Sequence, residues 1–205
     1  MEKIYRIIND RFNVNSYIYK ENNKCIIIDS NINTYDYIIK NELIPEYIFL
    51  THEHFDHIIG VSRLKNTFPD IKVVASRETS DMMQDNKGNM SFYYDGIGIQ
   101  ECGADIFIDN ISEFVFSGYN INTYFTPGHT SGGILIEINN LLFTGDTLLD
   151  IKTPTNLPTS SKKQLYESLE FIDEKFNQDI VICQGHGGPF VKKDWDKNRS
   201  LGIKK

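Results

Sequence analysis

Four metal-capable side chains, His52, His54, Asp56 and His57, crowd into six residues of the run Thr51-His52-Glu53-His54-Phe55-Asp56-His57, directly after an apolar strand-like stretch at 47–50. In an extended segment the side-chain direction has a period of two, so His52 and His54 project to the same side. If the chain then turns into a helix after Phe55, Asp56 and His57 lie in its first turn and can face the same cleft. One loop could in that way feed two neighbouring cations.

The chain has five histidines, and three of them lie in this window. The other two stand in Thr126-Pro127-Gly128-His129-Thr130 and Gln184-Gly185-His186-Gly187-Gly188. Both segments follow apolar runs, and both put glycine beside the histidine, which permits a tight turn and close backbone approach. An isolated histidine is usually an ordinary polar residue; such a concentration in three loops is not. A further apolar run ends in Leu142-Phe143-Thr144-Gly145-Asp146-Thr147. Gly-Asp alone is a common turn, but after the histidine loops it supplies a carboxylate able to bridge two cations.

Short β-type runs recur at 3–8, 14–19, 25–29, 47–50, 71–75, 120–125, 134–138, 141–143 and 180–183. Several are continuous Ile/Val/Leu/Phe stretches, as expected for strands covered on at least one face. Asn139-Asn140 suits a tight turn between two of them. Between strands, Tyr35, Ile38, Ile39 and Leu43 form one helical stripe, stopped by Pro45. Leu165, Leu169, Ile172 and Phe176 form another, started by Ser161 and Gln164 as a capping box. Strands interleaved with helices indicate a mixed α/β sheet protein. Residues 76–105 are read as a short helix followed by an irregular aromatic loop.

The length of 205 residues suits one domain over 1–205. A net charge of −7, from 21 Lys+Arg against 28 Asp+Glu, argues against nonspecific binding to nucleic acid or anionic membrane. Charges throughout the first twenty residues leave no signal-peptide core, and no apolar run approaches a membrane span. Cys25, Cys102 and Cys183 are too few for a disulfide framework, and Cys25 and Cys183, in apolar strand-like runs, read as buried free thiols. The expectation is a cytoplasmic protein acting on a small molecule; nothing in the sequence speaks to its oligomeric state.

The ordered set of motifs, from Asn15-Ser16-Tyr17 to Gly185-His186-Gly187, resembles the metallo-β-lactamase superfamily, and most closely its small glyoxalase II-like branch. The resemblance implies an αββα four-layer sandwich with the metal site at the edge of two facing mixed sheets. It implies His52, His54 and His129 as ligands of a first metal, Asp56, His57 and His186 as ligands of a second, and Asp146 as the bridge. Two divalent ions are expected, zinc foremost, with iron or manganese as alternatives.

Three imidazoles with an open position make a catalytic rather than a structural site. Two cations about 3.5–4 Å apart can share a water and lower its pKa toward ~7. The expected nucleophile is that metal-bound hydroxide, oriented by Asp56, attacking a thioester, ester or lactone whose oxyanion the metal stabilises. The run Leu148-Leu149-Asp150-Ile151-Lys152 departs from the Gly-Cys-Gly and basic segment of glyoxalase II enzymes, so glutathione itself is not implied. Phe92, Tyr93, Tyr94 and Lys152 are the expected substrate-pocket residues. Competing readings are a mononuclear-iron oxidoreductase resembling persulfide dioxygenases, a nuclease or phosphodiesterase, and a non-catalytic metal-binding module.

Overall fold

Alternation along the strands decides the architecture. In the third strand, Cys25 and Ile27 join one buried cluster while Ile26 and Ile28 join another, so both faces of its sheet are covered. The computed structural model describes residues 3–203. Its first half runs β1 (Ile4–Asn9), β2 (Val14–Glu21), β3 (Lys24–Ile28), α1 (Thr34–Lys40), β4 (Ile44–Phe49), α2 (Phe55–Ile58), α3 (Val61–Thr67), β5 (Lys72–Ser76), α4 (Arg77–Met83), α5 (Phe92–Asp95) and β6 (Ile106–Ile108). The second half runs β7 (Ile111–Phe116), β8 (Tyr119–Phe125), β9 (Ile134–Ile138), β10 (Leu141–Gly145), α6 (Lys162–Lys175), β11 (Val181–Gln184), β12 (Phe190–Val191), a 3-10 turn at Lys192–Asp194 and α7 (Lys197–Leu201).

Two six-stranded sheets result, in the orders β1-β2-β3-β4-β5-β6 and β12-β11-β10-β9-β8-β7. Both are mixed: β3, β4, β5 and β6 pair in parallel, as do β10 and β11, while the remaining pairs are antiparallel. Between the sheets, Tyr17, Ile26, Ile28, Phe49 and Val74 meet Phe116, Ile121, Ile136, Phe143 and Cys183. On the outer face of the first sheet, Ile27, Ile48 and Val73 pack against Ile38, Ile58, Val61 and Leu64 from the helices. On the outer face of the second, Leu135, Leu142 and Ile182 pack against Leu165, Leu169 and Ile172 of α6. This is the expected αββα sandwich, with helices flanking two facing sheets.

Three strands escaped the sequence pattern. β6 and β12 are three and two residues long, and β7 is a sheet edge whose side chains alternate between exposed and half-covered. Short and edge strands carry too few buried apolar residues to register as runs. The 76–105 segment contains the expected helix, α4, and an additional helical turn, α5. Buried Asn89 ties that loop down, its amide donating to the carbonyls of Met83 (3.2 Å) and Ile99 (2.9 Å). Asn139 takes a positive φ of 55° in the tight turn joining β9 to β10.

The capping box on α6 is half realised. Ser161 Oγ accepts from the Gln164 amide at 3.3 Å, but the Ser161 amide donates to the Gly128 carbonyl at 2.9 Å instead of to the Gln164 side chain. The C-terminus of α6 is held by a fully buried lysine: Lys192 Nζ donates to the Asp173 and Phe176 carbonyls at 2.6 and 2.7 Å. A cation there also matches the negative end of the helix dipole. Lys192→Met leaves one buried and one part-buried carbonyl without this donor and is expected to cost about 3 kcal/mol, lowering the thermal midpoint by roughly 6–12 °C for a chain of this size. An unchanged midpoint in a thermal scan would show that the staple contributes nothing.

Cys25 and Cys183 lie buried in the sheets, and burial pushes both thiols up to about 12, which leaves them unreactive at neutral pH. Among the described residues, no helix is long and apolar enough to cross a membrane.

Candidate metal centre

Strand direction gathers the histidine loops. β8, β10 and β11 run the same way, as do β3, β4 and β5, so the loops at their C-terminal ends cluster at one end of each sheet. Backbone hydrogen bonds then join the two ends. The Ile134 amide donates to the Thr51 carbonyl at 2.9 Å and Asn15 to Gly185 at 2.8 Å, while Gly185 to Gly145 at 2.7 Å ties β11 to β10 within the second sheet.

Within this junction the sequence-derived residues converge. His54 Nδ1 lies 3.1 Å from His52 Nε2 and 3.1 Å from His129 Nε2. His186 Nε2 lies 3.4 Å from His57 Nε2 and 3.6 Å from Asp56 Oδ2. Asp146 reaches both groups: Oδ2 is 3.7 Å from His129 Nε2 and 3.3 Å from His186 Nε2, and Oδ1 is 3.6 Å from His57 Nε2. Three triads, His52-His54-His129, His52-His57-Asp146 and Asp56-His57-His186, each hold ligand atoms within 4.8 Å of one another.

The outward ring nitrogens are also engaged. His129 Nδ1 meets the Pro154 carbonyl at 3.0 Å, and His186 Nδ1 meets the Asn13 carbonyl at 2.9 Å. A hydrogen on each Nδ1 leaves the Nε2 lone pair facing the cluster, which fixes tautomer and ring orientation for a cation. His57 Nδ1 meets Asp29 Oδ2 at 2.8 Å. Asp29 also accepts from the Thr51 amide (2.7 Å) and hydroxyl (2.8 Å), and that hydroxyl lies 3.0 Å from His52 Nδ1. One buried carboxylate therefore steadies a histidine in each triad.

Asp29 was missed in the sequence, where it reads as the last residue of an apolar strand. Its only local signal is an acidic residue closing a buried run. The structure adds a left-handed φ of 56°, uncommon for a non-glycine residue. The glycine expectation holds at Gly185, where an added Cβ would come within 2.2 Å of Asp146 Oδ1 and 2.7 Å of His57 Cε1. It holds equally at Gly128, φ +142°, where a Cβ would fall 2.3 Å from the Leu165 backbone.

The donor set fits a cation pair. Asp146 Oδ1 is buried without a hydrogen-bond partner among the described residues, an arrangement that costs free energy unless something else satisfies it. Imidazole suits borderline transition metals, and a shared carboxylate suits a bridge. Burial, together with neighbouring histidines, lowers the pKa of His52 and His54, the latter to about 3, so both rings are neutral and able to ligate. Burial would raise Asp146, but the His57, His186 and His129 rings hold it well below the usual carboxylate range. Burial opposes charge on His57 too, yet the carboxylates of Asp56, Asp146 and Asp29 outweigh it and raise the group to about 10.

A cation that uses His57 must displace that proton. Since the raised pKa keeps the ring protonated below about 10, binding at neutral pH is expected to release a proton, and affinity to rise with pH. Calorimetric titration of the chelator-treated protein with Zn²⁺, in buffers of different ionisation enthalpy, measures this. Buffer-independent heats would contradict it.

The expected pocket residues fare differently. Tyr94 comes close: its ring packs 5.4 Å from Phe55 and 5.2 Å from Phe12, beside the cluster loop. Phe92 packs against Tyr93 and lies under Lys87 instead. Tyr93 is largely exposed, and the Lys152 stem lies against Gly202 near α7. A cleft of about 420 Å³ beside His186 is lined by Asn13, Asp150, Ile151, Gln184 and Phe190, without Lys152.

A two-sheet sandwich whose strand ends bring five histidines and two aspartates together defines a metal-binding protein of the αββα class. The model of the Metallo-beta-lactamase superfamily matches residues 9–186, and the chain belongs to that superfamily. A hydroxyacylglutathione hydrolase from Pectobacterium atrosepticum is 31% identical over 169 residues, which is 80% of this chain but 57% of that relative's length. The chain thus spans less than two thirds of the curated relative it matches. The crystal structure of the BLEG-1 B3 metallo-beta-lactamase superposes with a TM-score of 0.83 at 24% identity, covering 93% of this chain and 94% of that one. The crystal structure of TTHA1623 in a di-iron-bound form gives 0.75 at 20% identity, covering 97% and 96%.

Proposed function

We propose that the protein is a metal-dependent hydrolase of small acyl compounds, with thioesters first and esters or lactones next. The observation that carries this reading is Asp146, a buried carboxylate that reaches both histidine groups and has an oxygen without a hydrogen-bond partner among the described residues. The hydroxyacylglutathione hydrolase relative supports the thioester preference.

In this reading His52, His54 and His129 hold one divalent ion, Asp56, His57 and His186 hold a second, and Asp146 bridges them. Zinc fits the ligands, as does iron, and TTHA1623 is known in a di-iron-bound form. Bound ions would supply an acidified water and a Lewis acid for a carbonyl oxygen. The chain's own residues do the rest. The Pro154 and Asn13 carbonyls, with the Asp29–Thr51 relay, hold four imidazoles in orientation. Half-buried Asp56 places a carboxylate at the accessible side, where it can accept a proton or orient a water. The cytoplasm is the proposed location.

The test is metal quantification coupled to turnover of a panel of thioesters, lactones and phosphodiesters. Two metals per chain with thioester hydrolysis is the expected result. One iron per chain with oxygen consumption would replace this reading with an oxidoreductase of the persulfide dioxygenase kind.

A further inference from the structure

Glu53 stands between two candidate ligands, His52 and His54, yet its carboxyl takes no part in the triads they form. The residue is fully buried. Taking a carboxyl out of water is costly unless its oxygens are satisfied, and hydroxyls from two distant elements meet them here. Thr159 Oγ1 donates to Oε1 at 3.3 Å and Thr79 Oγ1 to Oε2 at 3.4 Å. An apolar side chain of similar size would fill the space without that cost but would hold neither hydroxyl.

Both contacts lead to the loop that carries His129. Thr159 belongs to the segment after β10, which grips His129 twice: the Pro154 carbonyl meets His129 Nδ1 at 3.0 Å, and Ser160 Oγ donates to the His129 carbonyl at 2.7 Å. Thr79, in α4, shares its hydroxyl hydrogen with the Gly132 carbonyl at 3.1 Å, to which Ser76 Oγ also donates at 2.7 Å. Gly132 presses on these two hydroxyls so closely that an added Cβ would lie 2.6 Å from Thr79 Oγ1 and 2.7 Å from Ser76 Oγ. His186 takes its orientation from elsewhere, the Asn13 carbonyl at 2.9 Å in the turn between β1 and β2. The His129 and His186 rings therefore have separate supports.

We propose that Glu53 is a positioning residue: through Thr159 it fixes the segment that orients the His129 ring and, in the metal-site reading on which this further step rests, it raises the affinity of the His52-His54-His129 triad for its ion. Glu53 itself touches neither the ion nor the substrate.

Thr159→Val, Glu53→Leu and Glu53→Gln, each in the full chain, test this. ¹H–¹⁵N correlation spectra of the histidine rings in the chelator-treated protein read the tautomer of each ring. Titration with Zn²⁺, followed in the same spectra, reads which rings each ion engages. Thr159→Val removes one hydroxyl at nearly constant volume. In this variant and in Glu53→Leu, His129 is expected to change from the Nδ1-protonated form to a mixture, while His186 keeps its wild-type signal. The Zn²⁺ that shifts His129 is expected to bind roughly 10–100-fold more weakly, and the one that shifts His186 to stay within about twofold. Glu53→Gln keeps an acceptor oxygen for Thr159 and is expected to restore the His129 tautomer and most of the affinity.

A wild-type His129 tautomer and affinity in Thr159→Val, or in a folded Glu53→Leu, overturns the proposal. Equal changes at His129 and His186 overturn it as well, because a general loss of packing does not choose between the rings. A Glu53→Gln protein as impaired as Glu53→Leu shows that the acceptor oxygen is not what holds the loop. A displaced His129 tautomer in a family of variants whose wild type binds no Zn²⁺ supports the positioning role and sinks the metal-site reading instead.

Discussion

Asp146→Ala is expected to bind at most one equivalent of metal and to lose at least about a hundredfold in kcat/KM on any thioester the wild type accepts. The magnitude follows from position. Removing a partner that only orients a ligand typically costs 10–100-fold in metal affinity or activity, and Asp146 lies within 3.7 Å of ring nitrogens in both groups. Its removal also leaves His57 and His186, both pushed up by the neighbouring carboxylates, facing one another without the carboxylate that offsets their charge. Metal content by mass spectrometry, measured alongside steady-state kinetics, checks both halves. A variant that retains two metals and full activity would show that Asp146 does not bridge.

The second large effect belongs to Asp29, which touches no substrate in the proposed scheme. Asp29→Ala removes three hydrogen bonds at once, from the Thr51 amide, the Thr51 hydroxyl and His57 Nδ1. Metal affinity at the triad that uses His57 is expected to fall 10–100-fold. The metal-free protein is expected to lose about 3 kcal/mol, because breaking a buried ion pair from one side leaves its partner uncompensated. Chelator competition reads the first number and denaturant unfolding of the metal-free protein the second. Asp29→Asn, which keeps one oxygen acceptor, is expected to recover part of the stability and less of the affinity. If Asp29→Ala kept wild-type metal affinity, the relay from Asp29 through Thr51 to His52 would be irrelevant to the centre.

The candidate ligands were legible because the chemistry there is local. His52, His54, Asp56 and His57 share one loop, and His129, Asp146 and His186 each close an apolar strand beside glycine. The layers were legible for a related reason: residues 25–28 and 134–136 are apolar at consecutive positions, which requires cover on both faces of a sheet. Edge strand β7 and the two short strands lack that signature, since partial exposure relaxes the demand for apolar residues.

What tertiary structure alone decided lies between residues far apart in the chain. Asp29 lies 28 positions from His57, and nothing in the local sequence distinguishes it from any acidic residue ending a strand. The Pro154 and Asn13 carbonyls that orient His129 and His186 are backbone groups carried by every residue, so no side-chain pattern could announce them. Of the four residues expected to line a pocket, Tyr94 packs against Phe55 of the metal loop, while Lys152 turns toward α7. Residue type and spacing thus determined which atoms could ligate a metal, because a strand alternates and a glycine turns wherever it is placed. Which groups stand behind those ligands, and which aromatic side chains pack against the loop that carries them, depended on loop packing between two sheets, a long-range geometry that no short stretch encodes.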